Sequence, residues 1–446
     1  MKAGIDYRVC LRSRIPIAWL FAAVFFWSVT PLLVQSQGPG GQGQGQGGQA
    51  QARERALAQM PEGKGKEIVG ARCGNCHALT RVTEMRNSRE GWQEIVQNMV
   101  RAFSAPLTPD EVATVADYLA TNFPGEPKAT TQLAPLSPDN VKVEIKEWEV
   151  PWKGTRPRDP SVAADGTIWF VGQQGHYIAN LNPTTGEFKR YDLEDGTGPH
   201  TNILDKKGNV WFTGNRVGYI GKLDPQTGAI EKFPMPDPAA RDPHSMFLDK
   251  NENIWFTVQQ GNFVGKLETA TGTVRLTKIT TENARPYGIL VDPEGFPWFN
   301  QVGTNKVGRM EPKSMEITNY TLPDPKARDR RIARTSDGYI WYTDFARGYL
   351  GRLDPKSGEV KEWQNPAKER SGPYAIATDD KGRIWFSETG VIPTRLVGFD
   401  PKTEKFFSIT EIPSLGGSIR HMVFDPKTRS IWFGTDAGTI GRASIP

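Results

Sequence analysis

Seven tryptophans at a nearly constant spacing constrain this chain more than any other feature. Trp169, Trp211, Trp255, Trp298, Trp341, Trp385 and Trp432 follow one another at intervals of 42, 44, 43, 43, 44 and 47 residues. Each sits in a short apolar run such as Ile168-Trp169-Phe170 or Ile254-Trp255-Phe256. A period near 43 built from strand-like segments is the signature of a β-propeller blade. The composition fits, since 46 glycines and 34 prolines with 10% aromatic residues suit many short strands joined by tight turns.

The third repeat shows the expected blade. His244 to Leu248 reads as a first strand, Asp249 to Asn253 as a turn, Ile254 to Val258 as a second strand and Val264 to Leu267 as a third, with a fourth beginning near Val274 after Thr271-Gly272. The second repeat has the same order, with Asp224-Pro225-Gln226-Thr227-Gly228 before Ile230 to Met235. The last repeat ends after its third strand, while Val143 to Val150 stands unpaired before the first. Exchange of that N-terminal strand into the last sheet closes the ring and removes the open edge. The fold class expected is therefore an all-β seven-bladed β-propeller over residues 143–446.

The residue eleven places before each tryptophan opens a first strand, which in a propeller lines the central channel. These residues are Arg158, His200, His244, Tyr287, Arg330, Tyr374 and His421. Polar side chains can line a solvated channel with no further role. Here three of the five histidines in the protein fall in one ring beside two tyrosines and two arginines, which favours a site. Arg158 and Arg330 are candidates to clamp an anionic group. His176 reads as a surface residue, and the seven tryptophans as packing between sheets.

Before the propeller the chain changes character three times. Residues 1–36 carry Lys2, Arg8, Arg12 and Arg14 and then an apolar run from Ile15 to Val34. This reads as an export signal, with an uncleaved membrane anchor over residues 15–34 as the other reading. Either places the rest in the periplasm or otherwise outside the cytoplasm. Residues 37–54 are a Gly/Gln-rich linker that cannot repay the entropy of ordering. The formal charge of +5 lies mostly in the first segment, so no basic stripe points to nucleic acid.

Residues 55–125 contain Cys73-Gly74-Asn75-Cys76-His77, the C-x-x-C-H pattern of covalent haem c attachment. Two thiols one helical turn apart can form thioethers to the haem vinyl groups, leaving His77 as proximal iron ligand. A thioredoxin-like pair would need a βαβ context, and a zinc site a second pair of ligands nearby. Helical signals follow the motif. Ser88 caps a helix with Trp92, Ile95, Val96, Met99 and Phe103 at helical spacing, and Thr108-Pro109-Asp110-Glu111 is a capping box before Val112, Val115, Ala116 and Leu119. Here the chain resembles the small c-type cytochromes, an all-α domain joined to the propeller by a linker at 126–142. That resemblance implies a methionine as second axial ligand. Met60, Met85 and Met99 are the candidates, Met99 the preferred one, although it also fits an apolar helical stripe.

The propeller has its own resemblance. Asp-Pro-His, Gly-Pro-His and Gly-Pro-Tyr before a strand, Ile-Trp-Phe-Thr, and Val-Gly-Lys-Leu or Leu-Gly-Arg-Leu together resemble the virginiamycin B lyase family. The resemblance implies elimination chemistry on type B streptogramins, with Mg2+ and a histidine aided by carboxylates at the channel mouth. It carries the general base onto His421, a base matched to neutral pH, and a carboxylate that orients it onto Asp436. Tyr374 stands where the family has a second histidine and Ile419 where it has a glutamate, which puts the metal site in doubt.

The sequence leads to an exported haem c protein for electron transfer, working with a redox partner protein or a small-molecule electron donor. Its propeller is expected to bind a small-molecule ligand or partner in the channel. A carbon–oxygen lyase with an accessory cytochrome is the second reading, and a non-catalytic interaction propeller the third. No glycine-rich dinucleotide fingerprint is present.

Overall fold

A computed structural model of the chain describes residues 54–73, 79–83, 86–103, 107–125 and 140–446. The export segment and the Gly/Gln-rich linker up to residue 53 lie outside the described residues.

The N-terminal module is helical: α1 (Lys64–Arg72), α2 (Thr80–Thr83), α3 (Arg89–Phe103) and α4 (Pro109–Asn122). Both expected caps form. The Gly91 amide donates to Ser88 Oγ at 3.1 Å, and Thr108 and Glu111 close a reciprocal capping box with Pro109 in the first turn. The apolar stripes meet in one core of Met60, Val69, Trp92, Val96, Val115 and Leu119. Its polar edges are satisfied, with Trp92 Nε1 donating to the Phe123 carbonyl at 3.0 Å and the Tyr118 hydroxyl to the Pro61 carbonyl at 2.6 Å. Gly65 lets α1 and α4 approach, because a Cβ there would lie 2.2 Å from Tyr118 Cβ.

Residues 144–444 form seven four-stranded antiparallel sheets. Every second strand, from Ile168–Gly172 to Ser430–Gly434, is buried at all five positions, with an apolar start around the tryptophan and, in most blades, buried polar residues toward its end. Its alternation sends tryptophan to one face and the next aromatic to the other. The Val-Gly-Lys-Leu unit on the third strand makes room for that second ring. At Gly265 a Cβ would lie 2.3 Å from Phe256 Cζ. The indole N–H of Trp211, Trp255, Trp298 and Trp385 donates to the turn aspartate six residues earlier, and that of Trp341 to Thr335. The tryptophans are packing residues.

First strands touch in cyclic order, and the seventh meets the first. A hydroxyl two residues after the tryptophan joins successive blades. Thr213, Thr257, Thr343 and Ser387 each accept from a first-strand amide of their own blade. Each donates in turn to the ring-residue region of the next blade, the carbonyls of His244, Tyr287, Tyr374 and Ile419.

Closure is by strand exchange. Glu144–Glu149 pairs antiparallel with Thr439–Ser444, from Glu144 opposite Ser444 to Glu149 opposite Thr439. Among the described residues, propeller contacts reach back at least to Asn140, before the expected 143. Its side chain brackets Ile409, donating to the carbonyl at 3.1 Å and accepting from the amide at 2.6 Å. The strap thus crosses from the outer strand of blade 6 into blade 7.

Candidate functional site

The first strands do not run smoothly past the channel. In blades 1, 3, 4, 5 and 6 the register with the second strand shifts at the ring position, between Arg158 and Ser161 in blade 1 and between Asp329 and Ile332 in blade 5. A bulge sets two residues against one, so neighbouring side chains can both be aimed inward. Asp159 takes a left-handed backbone conformation there, with φ of 49°. This irregularity adds two residues that a count of one position per blade misses, Asp159 and Arg331, each next to a ring residue; Arg420, next to His421 in blade 7, joins them without such a shift.

The ring is a packed polar plug rather than a solvated lining. Arg158, His200, His244, Tyr287 and Tyr374 are all at most 5% exposed, while Arg330 and His421 are half-buried. Asp159 is its electrostatic centre. It accepts from Arg158 Nε at 3.0 Å, Thr201 Oγ1 at 2.8 Å and, from across the channel, Arg331 Nη2 at 3.3 Å. Arg331 also donates to Ser245 Oγ at 3.1 Å, joining blades 1, 3 and 5. The His200 and His244 rings lie 3.6 Å apart between centroids, and His244 and Tyr287 4.0 Å. The hydroxyls of Tyr287 in blade 4 and Tyr374 in blade 6 are hydrogen-bonded to each other.

Charge follows from this packing. Burial raises the Asp159 carboxyl, but Arg158 and Arg331 more than offset it and hold the group well below the usual carboxylate range. Burial, reinforced by Arg158 and Arg331, holds His200 well below its ordinary value. Burial, then His200 and the same arginines, do so for His244. Burial also pulls His421 down to about 4. Tyr287 is pushed up to about 12 by burial and by Tyr374. For Tyr374 burial is outweighed by Arg330, Arg420, Arg158 and Arg331, which lower it.

Two expectations for the base need correction. His421 is not matched to neutral pH, because its enclosed, arginine-rich surroundings make it a weak base, and its Nδ1 has no hydrogen-bond partner. Asp436 does not orient it. That carboxylate is hydrogen-bonded by Arg420 and lies 3.6 Å from Arg156 Nε. Ile419 is fully buried in the core beneath blades 6 and 7. The proposed clamp of Arg158 and Arg330 is divided: Arg158 is held by Asp159 and Gln173, and Arg330 lies over the rings of Phe345 and Tyr374 at 4.1 and 4.5 Å. His176 is half-buried and accepts from the Gly198 amide at 3.0 Å, which fixes a loop.

Comparison with known proteins gives this architecture its place. The model of the virginiamycin B lyase family matches residues 129–396, more than half of the chain. The chain belongs to the virginiamycin B lyase family. The match ends before blade 7, so His421 and Asp436 lie beyond it, whereas Tyr374 lies within. A streptogramin B lyase structure is 24% identical, with a TM-score of 0.62 over 68% of this chain and 98% of the other. The virginiamycin B lyase of Staphylococcus aureus gives the same identity, TM-score and share of this chain, with 100% of its own covered. Hydrazine synthase of Kuenenia stuttgartiensis is 13% identical, with a TM-score of 0.56 over 65% of this chain and 96% of the other. At these identities the likeness establishes a common fold. Among curated protein sequences none matches the chain.

The magnesium implied by the lyase resemblance does not fit these residues. Among the described residues no group of three or more His, Cys, Asp or Glu is placed to hold a metal. The two channel carboxylates are already occupied by guanidinium groups, and further positive charge opposes a dication.

In the helical module a second family model, the haem-binding region of the quinohemoprotein amine dehydrogenase alpha subunit, matches residues 63–139. It identifies a haem-binding domain. Cys73 follows α1 as its C-cap, is half-buried and packs against the module core, whereas Cys76, His77 and Met85 lie outside the described residues. Of the methionine candidates, Met60 is 3% exposed inside the core and committed to packing. Met99 is half-buried on α3, one turn after Ile95.

Proposed function

We propose that this protein is an exported haem c electron-transfer protein whose lyase-type propeller binds a small molecule or redox partner at its channel mouth. The observation that carries this reading is the haem-binding match over the segment holding the C-x-x-C-H motif. Cys73 and Cys76 would hold the haem through thioethers, and His77 and Met99 are the residues that would ligate its iron. Bound there, a haem supplies one-electron exchange, at a raised potential if methionine is the second ligand. An electron-transfer protein of this kind works outside the cytoplasm, and residues 15–34 would either direct export or tether it.

Mass spectrometry and a reduced-minus-oxidised absorption spectrum of the purified protein test the haem. Attachment adds one haem per chain, and Cys73→Ser with Cys76→Ser removes it. A native chain without covalent haem sinks the proposal.

Family membership supports a second reading, carbon–oxygen bond elimination on a type B streptogramin. Incubation with magnesium and such a streptogramin, followed by liquid chromatography, would show a ring-opened product of unchanged mass. The withdrawn His421 and the ion-paired Asp436 lead us to expect no turnover.

A further inference from the structure

The channel carries more positive charge than its own carboxylates balance. Arg156, Arg158, Arg330, Arg331 and Arg420 surround the ring, and among the described residues Asp159 and Asp436 are the anions paired with them, a surplus of three positive charges. Arg158 Nη2 and the Nε atoms of Arg330 and Arg331 are buried with no hydrogen-bond partner. Arg158 and Arg331 are only 4% and 5% exposed. Unsatisfied guanidinium donors away from water are costly, and a chain retains them where something else supplies the acceptor.

The arrangement also shows on which side. Arg158 and Arg331 are drawn into the plug by Asp159. Arg330 and Arg420 remain half-buried, and both act on Tyr374, which Arg330 overlies at 4.5 Å. The rings of Phe345 and Tyr374 flank Arg330; Tyr374 is only 4% exposed, so the flat apolar wall on this side is the half-buried Phe345. Planar donors beside aromatic faces suit a planar anion joined to a ring better than a tetrahedral one.

Resting on the channel-binding reading above, we propose that the propeller mouth binds a small aromatic carboxylate, its carboxylate on Arg330 and its ring against Phe345. The same carboxylate accepts the hydrogen bond that Arg330 Nε lacks in the protein alone.

Calorimetric titration of the full-length, haem-loaded protein with 4-hydroxybenzoate, 4-hydroxybenzyl alcohol and inorganic phosphate tests this. The acid should bind at least about tenfold more tightly than the alcohol or phosphate. Arg330→Gln should weaken the acid about tenfold with little effect on the alcohol, and Arg330→Lys should fall between. Circular dichroism checks that both variants are folded. Equal affinity for acid and alcohol, phosphate binding as tight as the acid, or an unchanged affinity in Arg330→Gln overturns the proposal. A parallel titration with a type B streptogramin separates the two levels. Binding of the alcohol or streptogramin without preference for the acid removes only the anion assignment, whereas silence from every probe removes the channel-binding reading as well.

Discussion

Replacing Asp159 by asparagine keeps the shape of the channel plug and deletes its central charge. The carboxylate is 1% exposed and holds Arg158 at 3.0 Å, Thr201 at 2.8 Å and Arg331 at 3.3 Å, on three different blades. The amide oxygen of the substituted side chain could still accept one of these bonds, but two buried guanidinium groups would lose their counter-charge. Breaking a buried ion pair from one side costs about 3–5 kcal/mol, most of it the isolation of the charge left behind. For a domain of this size that corresponds to a fall in melting temperature on the order of 10 °C. Calorimetry of Asp159→Asn measures the loss, and the double variant Asp159→Asn/Arg331→Met should recover part of it by removing one stranded cation. The loss should also depend on pH. The folded carboxyl titrates below its ordinary value of 3.8, so its stabilisation is complete above that value and disappears as pH falls through the lowered one. A loss under about 1 kcal/mol, or no recovery in the double variant, would refute the view of the plug as a dry, charge-matched junction.

Other consequences follow from the same packing. His421 has a folded value of about 4 against an ordinary 6.5, so unfolding takes up a proton between them and stability falls as pH drops across that window, by up to about 1.4 kcal/mol per pH unit. Chemical denaturation between pH 7 and 4 should show a shallower slope for His421→Asn, and an unchanged slope contradicts the burial argument. Asp329 has the opposite sign. Burial pushes it up to about 8, so folding retains a proton and stability declines as pH rises from about 4 to 8; Asp329→Asn should gain on the parent protein between pH 5 and 8 in urea melts. Trp148 on the closing strand stacks on Trp432 at 5.4 Å, and Trp148→Ala should cost about 2–3 kcal/mol by loosening the seam, read as a lower unfolding midpoint.

The sequence by itself determined the blades, because the buried second strand of each sheet places an apolar run with its tryptophan at the core and a ring of such sheets repeats it at a fixed interval. Trp169 to Trp432 therefore count the blades, and the unpaired Val143 to Val150 announces the closing strand. The caps at Ser88 and Thr108 were legible for a similar reason: they depend on neighbours three residues away. The seven ring positions could also be counted, since each keeps its distance from a tryptophan. What those side chains do could not be read, because their partners come from other blades. Asp159 meets Thr201 and Arg331, and Tyr287 meets Tyr374, across sequence distances of 42, 172 and 87 residues. The register shifts in the first strands turn second residues such as Arg331 toward the channel, and local periodicity does not specify a bulge. Only the closed ring brings these groups together and excludes water. That exclusion decides that three histidines are poor bases, that Asp436 belongs to Arg420, and that the channel mouth is cationic.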